Sequence, residues 1–548
     1  MRVLFTVMLL FGAVQPLLGQ QYHFTHDDTL RGSITPERAW WDLAFYHLRV
    51  RLSPADSTLT GSNEIHYRVQ TPSQLMQIDL QRALRITRIE QDGQALAFRQ
   101  DGDAYFVSLV KKQEKGKRES VTVFYQGAPR VAKKAPWDGG FVYARDASGR
   151  PFIATACQGL GASSWWPCKD HPADEPDSMA ISITVPKPLI DVSNGKLRKI
   201  TENQDNTRTF DWFVANPINN YGVNLNAACY EHWSDTYAGL KGPLALNYYV
   251  LPEHLEAAKK QFQQVPLMLK AFEYWFGPYP FYEDGYKLVE VPYLGMEHQS
   301  SVTYGNLFKN GYLGRDLSAT GWGLKWDFII VHESGHEWFA NSITNKDEAD
   351  MWVHESFTNY SESLFTEYYY GKEAASAYVI GCRKLIRNDR PVVGTYNVNH
   401  TGSGDMYYKG GNMLHMIRQL VNNDEKWHHM LLGLNKTFYH KTVSGAEVEA
   451  YMIDFLHLSL QKVFDQYLRD IRIPVLRYRF KNNQLQYQWT NCVAGFDMPV
   501  KVKLGQTDHV LKPVSGEWKT APAKGTTTLT IDPNYYVKSA EDTATDQG

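Results

Sequence analysis

His332-Glu333-Ser334-Gly335-His336, followed after eighteen intervening residues by Glu355, is the stretch of this 548-residue chain that decides how the rest is read. The two histidines are four apart, so on a helix both rings lie on one face, one turn apart, where they can share a metal ion. Phe328-Ile329-Ile330-Val331 before them is apolar and Trp338-Phe339 after them is bulky, as in a buried helix. Glu333, one position past the first histidine, stands beside the metal rather than on it, where it can take a proton from water. Glu355 opens a second helix-like run that ends near Tyr370. Two imidazoles and one carboxylate leave one corner of a tetrahedron open for water, the arrangement of a catalytic rather than a structural zinc. Asn359 and Glu362 follow Glu355 on the same helical face and are candidates to orient a ligand histidine. In a chain with 18 histidines an isolated HExxH arises by chance, so the weight comes from the apolar helix and the downstream glutamate. Glu337 and His354, inside the same segments, read as ordinary helix-surface residues.

The composition sets the surroundings of this motif. Charged residues are 21% and hydrophobic residues 43%, globular values that exclude a disordered chain. The length exceeds one hydrophobic core and predicts about two to four domains. A formal net charge of −2 excludes the basic balance expected of a nucleic-acid or anionic-membrane binder. The N-terminus reads as a secretory signal over residues 1–19: Arg2, then the mostly apolar Val3 to Leu18 interrupted by Pro16, then Gly19. The expectation is therefore an exported protein, periplasmic or secreted, with no membrane span once the leader is removed. Five cysteines, Cys157, Cys168, Cys229, Cys382 and Cys492, are too few and too scattered for a disulfide framework and read as mostly buried, inert thiols.

From about residue 40 to 230 the pattern is mainly β. Leu48, Val50 and Leu52 alternate with polar residues, as do Ile181, Ile183 and Val185, and Asp92-Gly93, Asp101-Gly102 and Asp138-Gly139 mark turns. The period then changes: 253–275, 321–341, 351–370, 373–388 and 410–422 read as helices. Helical character ends near Leu468. Alternation returns at Leu476, Tyr478 and Phe480, an Asn482-Asn483 turn, and Leu485, Tyr487 and Trp489, with the last ten residues reading as frayed.

Four separated motifs, in order, give the chain a resemblance to the M1 family of zinc aminopeptidases. They are Thr155-Ala156-Cys157-Gln158 leading to Trp166-Pro167-Cys168-Lys169-Asp170-His171-Pro172, then Tyr293-Leu294-Gly295-Met296-Glu297-His298 (similar to GxMEN), the histidine–glutamate set, and Tyr407-Tyr408-Lys409-Gly410 (similar to YxKG). The resemblance implies a multidomain α+β fold: a β-saddle domain over residues 20–235, a thermolysin-like catalytic domain over 236–468 and a β-sandwich over 469–548. It implies one zinc ion on His332, His336 and Glu355, Glu333 as general base, and Tyr407 rather than Tyr408 as donor to the oxyanion. It further implies that Glu297 pairs with the free α-ammonium of a peptide substrate, that Gln158 and Gly295 help line the site, and that Met296 lines the first side-chain pocket. Two positions depart from the pattern. Leu294 replaces a glycine and reshapes the pocket, and His298 replaces an asparagine and brings a titratable group towards the substrate amine. The function expected is removal of N-terminal residues from peptides with a free N-terminus. A zinc endopeptidase needs the same metal set without Glu297, and a silent binding scaffold needs neither Glu333 nor Tyr407.

Overall fold

The computed structural model describes residues 22–523 and 525–542. The leader expected at residues 1–19 lies outside them, and among the described residues no helix is long and apolar enough to cross a membrane.

The alternating segment around Leu48 becomes strand β1 (Trp41–Ser53), in the middle of an eight-stranded sheet. It pairs antiparallel with Thr58–Val69 and parallel with Ser178–Pro186, where Leu48 faces Ile181 and Val50 faces Ile183. Their side chains are buried, so the period-2 pattern marks the inner face, as pleat geometry requires. A second, four-stranded sheet contains β2 (Pro151–Ala156), which runs directly into Cys157 and Gln158. This sheet delivers the first of the four motifs.

The next layer is a five-stranded mixed sheet that includes β3 (Tyr286–Glu290), the short edge strand β4 (Gly295–Met296) and β5 (Val302–Tyr304). Helices pack around it. The stretch 253–275 is not one helix: Leu255–Gln261 is separate from α1 (Gln264–Phe276). Pro266 sits in the first turn of α1, where its missing N–H and fixed φ are tolerated and where it could not continue a helix from upstream. The segment 321–341 is also shorter than its periodicity predicts. Helix α2 spans only Phe328–Gly335, because the Asp327 carboxylate caps the backbone N–H groups of Ile329 and Ile330. After His336 the chain leaves helical geometry at Phe339 and Ala340. Helix α3 (Trp352–Tyr370) is buried from Trp352 through Thr366, as a central helix of a large core must be. It is flanked by α4 (Lys372–Gly381) and α5 (Tyr408–Val421).

C-terminal strands form a four-stranded and a three-stranded sheet. The Asn482-Asn483 turn joins Val475–Lys481 to Gln484–Thr490, with both asparagines at positive φ (52° and 58°), the geometry of a tight hairpin. Of the last ten residues, read as frayed, 539–541 belong to the strand Lys538–Glu541, which runs parallel to Val475–Lys481, and 543–548 lie outside the described residues. All five cysteines are free and buried. The C-terminal strands share one continuous core with the helices, since Leu476, Leu485, Trp489 and Phe496 pack in the same apolar cluster as Phe464 and Tyr467. Removing the Trp489 indole should therefore destabilise both parts together: Trp489→Ala is expected to lower stability by about 3–5 kcal/mol, with one calorimetric transition for helices and strands. Two well-separated transitions would contradict a shared core.

Candidate active site

Helices α2 and α3 bring the metal-type residues together. One donor atom each from His332, His336 and Glu355 lie within 4.8 Å of one another, and all three residues are buried. Second partners set the orientation of each ring. His332 Nδ1 lies 2.7 Å from Glu362 Oε1, and Glu362 also accepts from Asn359 Nδ2 at 3.1 Å and from the Tyr378 hydroxyl at 2.6 Å. His336 Nδ1 lies 3.0 Å from the Phe339 carbonyl and 3.1 Å from Thr358 Oγ1. With Nδ1 engaged on both rings, both Nε2 atoms point at Glu355 Oε2, at 3.7 and 3.4 Å. That oxygen is buried and accepts no hydrogen bond. A buried carboxylate oxygen without a donor is costly unless a cation meets it, and two imidazole nitrogens converging on the same point complete a zinc-type donor set. The residues present therefore fit a zinc ion.

The other oxygen of Glu355 is fully used. Oε1 accepts from Gln158 Nε2 at 3.0 Å and from the Tyr407 hydroxyl at 2.9 Å. Tyr407 stands immediately before α5, with backbone angles outside the helical region, so its hydroxyl turns to Glu355 while Tyr408 begins the helix. Burial, reinforced by the charge of Glu355, holds the Tyr407 phenol well above its ordinary pKa, so it stays protonated and able to donate. The close approach of α5 to α3 depends on Gly410: a Cβ there would run into the Ser356 side chain.

Glu297 leaves the end of β4 and is almost fully buried. Its Oε1 accepts from Gln158 Nε2 at 2.7 Å and from the Tyr221 hydroxyl at 3.1 Å. Gln158 thus donates to both Glu297 and Glu355 and ties the N-terminal sheet to the helices. Glu333 completes a second close group with Glu297 and His336. Burial raises the pKa of Glu297 and brings that of Glu333 up to about 7, against the pull of the nearby imidazoles. Gly295 keeps the strand against α2, where a Cβ would lie 2.8 Å from Ile329 and 3.3 Å from Glu333.

These side chains open into one cleft of ≈ 510 Å³, lined also by Trp137, Leu294, Tyr312, Phe328, Arg387 and Arg390. Gln158, Gly295, Glu297, Asn359 and Glu362 are part of its lining, as are the metal-type residues, Glu333, Tyr407 and Tyr408. Met296 is not. Its side chain packs with Ala154, Ala156, Tyr221, Val291 and Tyr293, so it does not form the pocket wall expected of it. His298 is likewise fully buried outside the lining, 3.3 Å from Thr303 Oγ1, with a pKa lowered to about 3 by burial. It is a neutral residue of the interior and brings no charge to the cleft. Glu337 and His354 are not helix-surface residues: both are fully buried. Glu337 accepts from the Tyr279 hydroxyl, the Ser300 N–H and Asn341 Nδ2, and His354 Nε2 accepts from the Asn345 N–H at 2.8 Å. Tyr221 and Tyr378 are the polar partners that no sequence motif announced.

Residues 261–467 match the family model described as Peptidase family M1 domain, and residues 44–221 that of the Peptidase M1 N-terminal domain. The chain belongs to peptidase family M1. Among M1 relatives, leukotriene A-4 hydrolase of Xenopus laevis is 25% identical over 323 residues, covering 56% of this chain and 50% of that protein. Probable aminopeptidase 1 of Saccharolobus solfataricus is 23% identical over 50% of this chain and 33% of its own length. The chain thus spans half or less of these relatives' lengths. In fold, the M1 zinc metallopeptidase from Deinococcus radiodurans superposes with a TM-score of 0.66 at 21% identity, covering 80% of this chain and 95% of that one. A mutant of that enzyme bound to a Tyr-Ser-Ala substrate gives the same score.

Glu362 provides a test of the donor set. Glu362→Gln should weaken zinc binding about 10–100-fold, read by competition with a chromogenic chelator, because it removes the carboxylate that fixes the His332 tautomer. Unaltered affinity would mean that His332 does not need this partner.

Proposed function

We propose that the protein is an exported zinc aminopeptidase, which removes single residues from the free N-termini of peptides. The observation that carries this reading is the clustering of three buried carboxylates, Glu297, Glu333 and Glu355, around two imidazoles. So much buried negative charge calls for cations. A metal ion answers Glu355, and a substrate α-ammonium answers Glu297.

A zinc ion held by His332, His336 and Glu355 supplies Lewis acidity towards a carbonyl oxygen and acidifies water. The chain's own residues do the rest. Glu297, held by Tyr221 and Gln158, binds the α-ammonium through a charge-assisted hydrogen bond. With the amine fixed there, only the first peptide bond reaches Glu333. Glu333 accepts the proton of the attacking water and returns it to the nitrogen of the departing amine. Tyr407, a protonated donor beside Glu355, turns its hydroxyl to the carbonyl oxygen as negative charge develops there. Asn359 and Glu362 keep His332 in one tautomer. Leu294 lines the cleft beside Gly295 and so adds bulk close to the substrate's first residue. The domain division at about residues 235 and 468, and export directed by residues 1–19, belong to the same proposal.

The decisive assay is hydrolysis of aminoacyl arylamides beside an N-acetylated counterpart, with and without a chelator. Only free-amine substrates should be cleaved, and chelation should stop the reaction; cleavage of the blocked substrate would make the enzyme an endopeptidase and leave Glu297 without its role. Glu333→Gln should lower kcat about 10²–10⁴-fold with bound zinc retained. Tyr407→Phe should lower kcat about 10²–10³-fold with little change in KM. A Tyr407→Phe enzyme with normal kcat would remove the oxyanion assignment.

A further inference from the structure

The wall of the cleft between residues 386 and 408 carries two cationic side chains that peptide-bond hydrolysis leaves without a task. Arg387 and Arg390 both line the cleft into which His332, Glu333 and Glu355 open. Among the described residues, neither guanidinium has a carboxylate oxygen within 4.0 Å. The acids nearest in sequence are engaged elsewhere. Asp389 accepts from the Ser403 hydroxyl at 2.5 Å, and Asp405 accepts from the backbone N–H groups of Arg387 and Asn388 at 2.8 and 2.6 Å.

Arg390 is held in place by neutral acceptors, with Asp389 attracting its charge from beyond 4.0 Å. It donates to the Gly402 carbonyl at 3.1 Å and to the Tyr22 hydroxyl, and its carbon Cζ lies 5.7 Å from the centre of the Tyr22 ring. Its Nε is buried with no partner. A half-buried arginine is normally paired, and this one has a donor left over beyond its two neutral acceptors. The lining of the cleft therefore carries buried carboxylates and also guanidiniums that lack an ion-pair partner.

The fold also says which part of a substrate meets this wall. The loop that follows Arg390 returns to the turn after β2, where Asn399 Nδ2 lies 3.4 Å from the Gly159 carbonyl. Gly159 follows Gln158, the donor to Glu297. The loop that carries the cationic wall is thus joined to the segment that holds Glu297, and we take the side chain of the first residue as the substrate group it meets.

We propose that Arg387 and Arg390 form a carboxylate subsite, which selects peptides that present a carboxylate to this wall. The side chain of an N-terminal Asp or Glu is the favoured source, and the terminal carboxylate of a di- or tripeptide is the other source of the same chemistry in a cleft of ≈ 510 Å³. The planar fork of arginine suits either. The inference rests on the aminopeptidase reading and names its substrate class.

Two pairs of substrates, each differing only by a carboxylate against an amide, test it with the zinc-loaded full chain. The ratio of kcat/KM for glutamyl over glutaminyl 4-nitroanilide reads the side-chain source, and that for Ala-Ala-Ala over its C-terminal amide reads the other. At least one ratio should be about tenfold or more. It should shrink as salt rises from about 20 mM to about 0.5 M, collapse towards one in the Arg387→Gln/Arg390→Gln double variant, and survive in part in Arg390→Lys. The ratio that moves identifies the source. A role confined to bracing the loop would lower both members of a pair alike and leave the ratio unchanged. Both ratios near one in the unaltered protein, or a ratio that neither salt nor substitution changes, would overturn the subsite. The salt series on the unaltered protein decides the matter even if a variant fails to fold. Failure of the aminopeptidase reading looks different, since no free-amine substrate would then be cleaved at all.

Discussion

One oxygen atom organises this protein. Glu355 Oε2 is buried, faces two imidazole nitrogens and accepts no hydrogen bond. Leaving such an atom unmet would weaken any fold, because a desolvated anion without a partner costs far more than a hydrogen bond returns. The surrounding structure exists to hold it there. α2 offers the two histidines from successive turns, α3 offers the carboxylate, and a ring of acceptors fixes each imidazole from behind. The glycine at 410 brings α5 close enough for the Tyr407 hydroxyl to reach the opposite oxygen of the same carboxylate. Each of these local choices is unfavourable or neutral alone. Together they make sense around a cation.

Charge is balanced on a larger scale in the same way. The carboxylates of Glu297, Glu333 and Glu355 converge from a sheet edge and two helices. Gln158, reaching over from the N-terminal sheet, places one amide between two of them. An amide donor separates like charges without neutralising them, so the site keeps its affinity for cations while its geometry stays fixed. The buried tyrosines Tyr221 and Tyr378 do the same for Glu297 and Glu362.

Much of this was legible in the sequence where chemistry imposes a spacing. The histidine pair, the downstream glutamate and the candidates at Asn359 and Glu362 needed only helical geometry, and Tyr407 and Glu297 needed a family pattern. What stayed hidden depends on the third dimension. Helix α2 begins at Asp327 because a side chain competes for the backbone there, although apolar periodicity runs on upstream. Glu337 and His354 look like surface residues because polar side chains usually are; they are interior because Tyr279 and Ser300 supply partners from distant segments and Asn341 and Asn345 from the chain nearby. Met296 and His298 show the limit of a motif, which fixes neighbours in sequence but not which way each side chain turns along a short edge strand. The arginines at 387 and 390 carry no motif and become visible only as part of a wall.

The single amide of Gln158 has a consequence for how activity arises during folding. Helices α2 and α3 carry the metal-type residues, but Gln158 lies in the turn after β2, nearly two hundred residues before Glu355. Until the two parts dock, Glu297 and Glu355 lack the group that spaces them. For the aminopeptidase proposed above, turnover in a refolding chain would report the meeting of the two parts, and it would lag behind any signal, such as helix content or metal uptake, that belongs to one part alone. Such an enzyme would be silent as a nascent chain and active only once both parts had met.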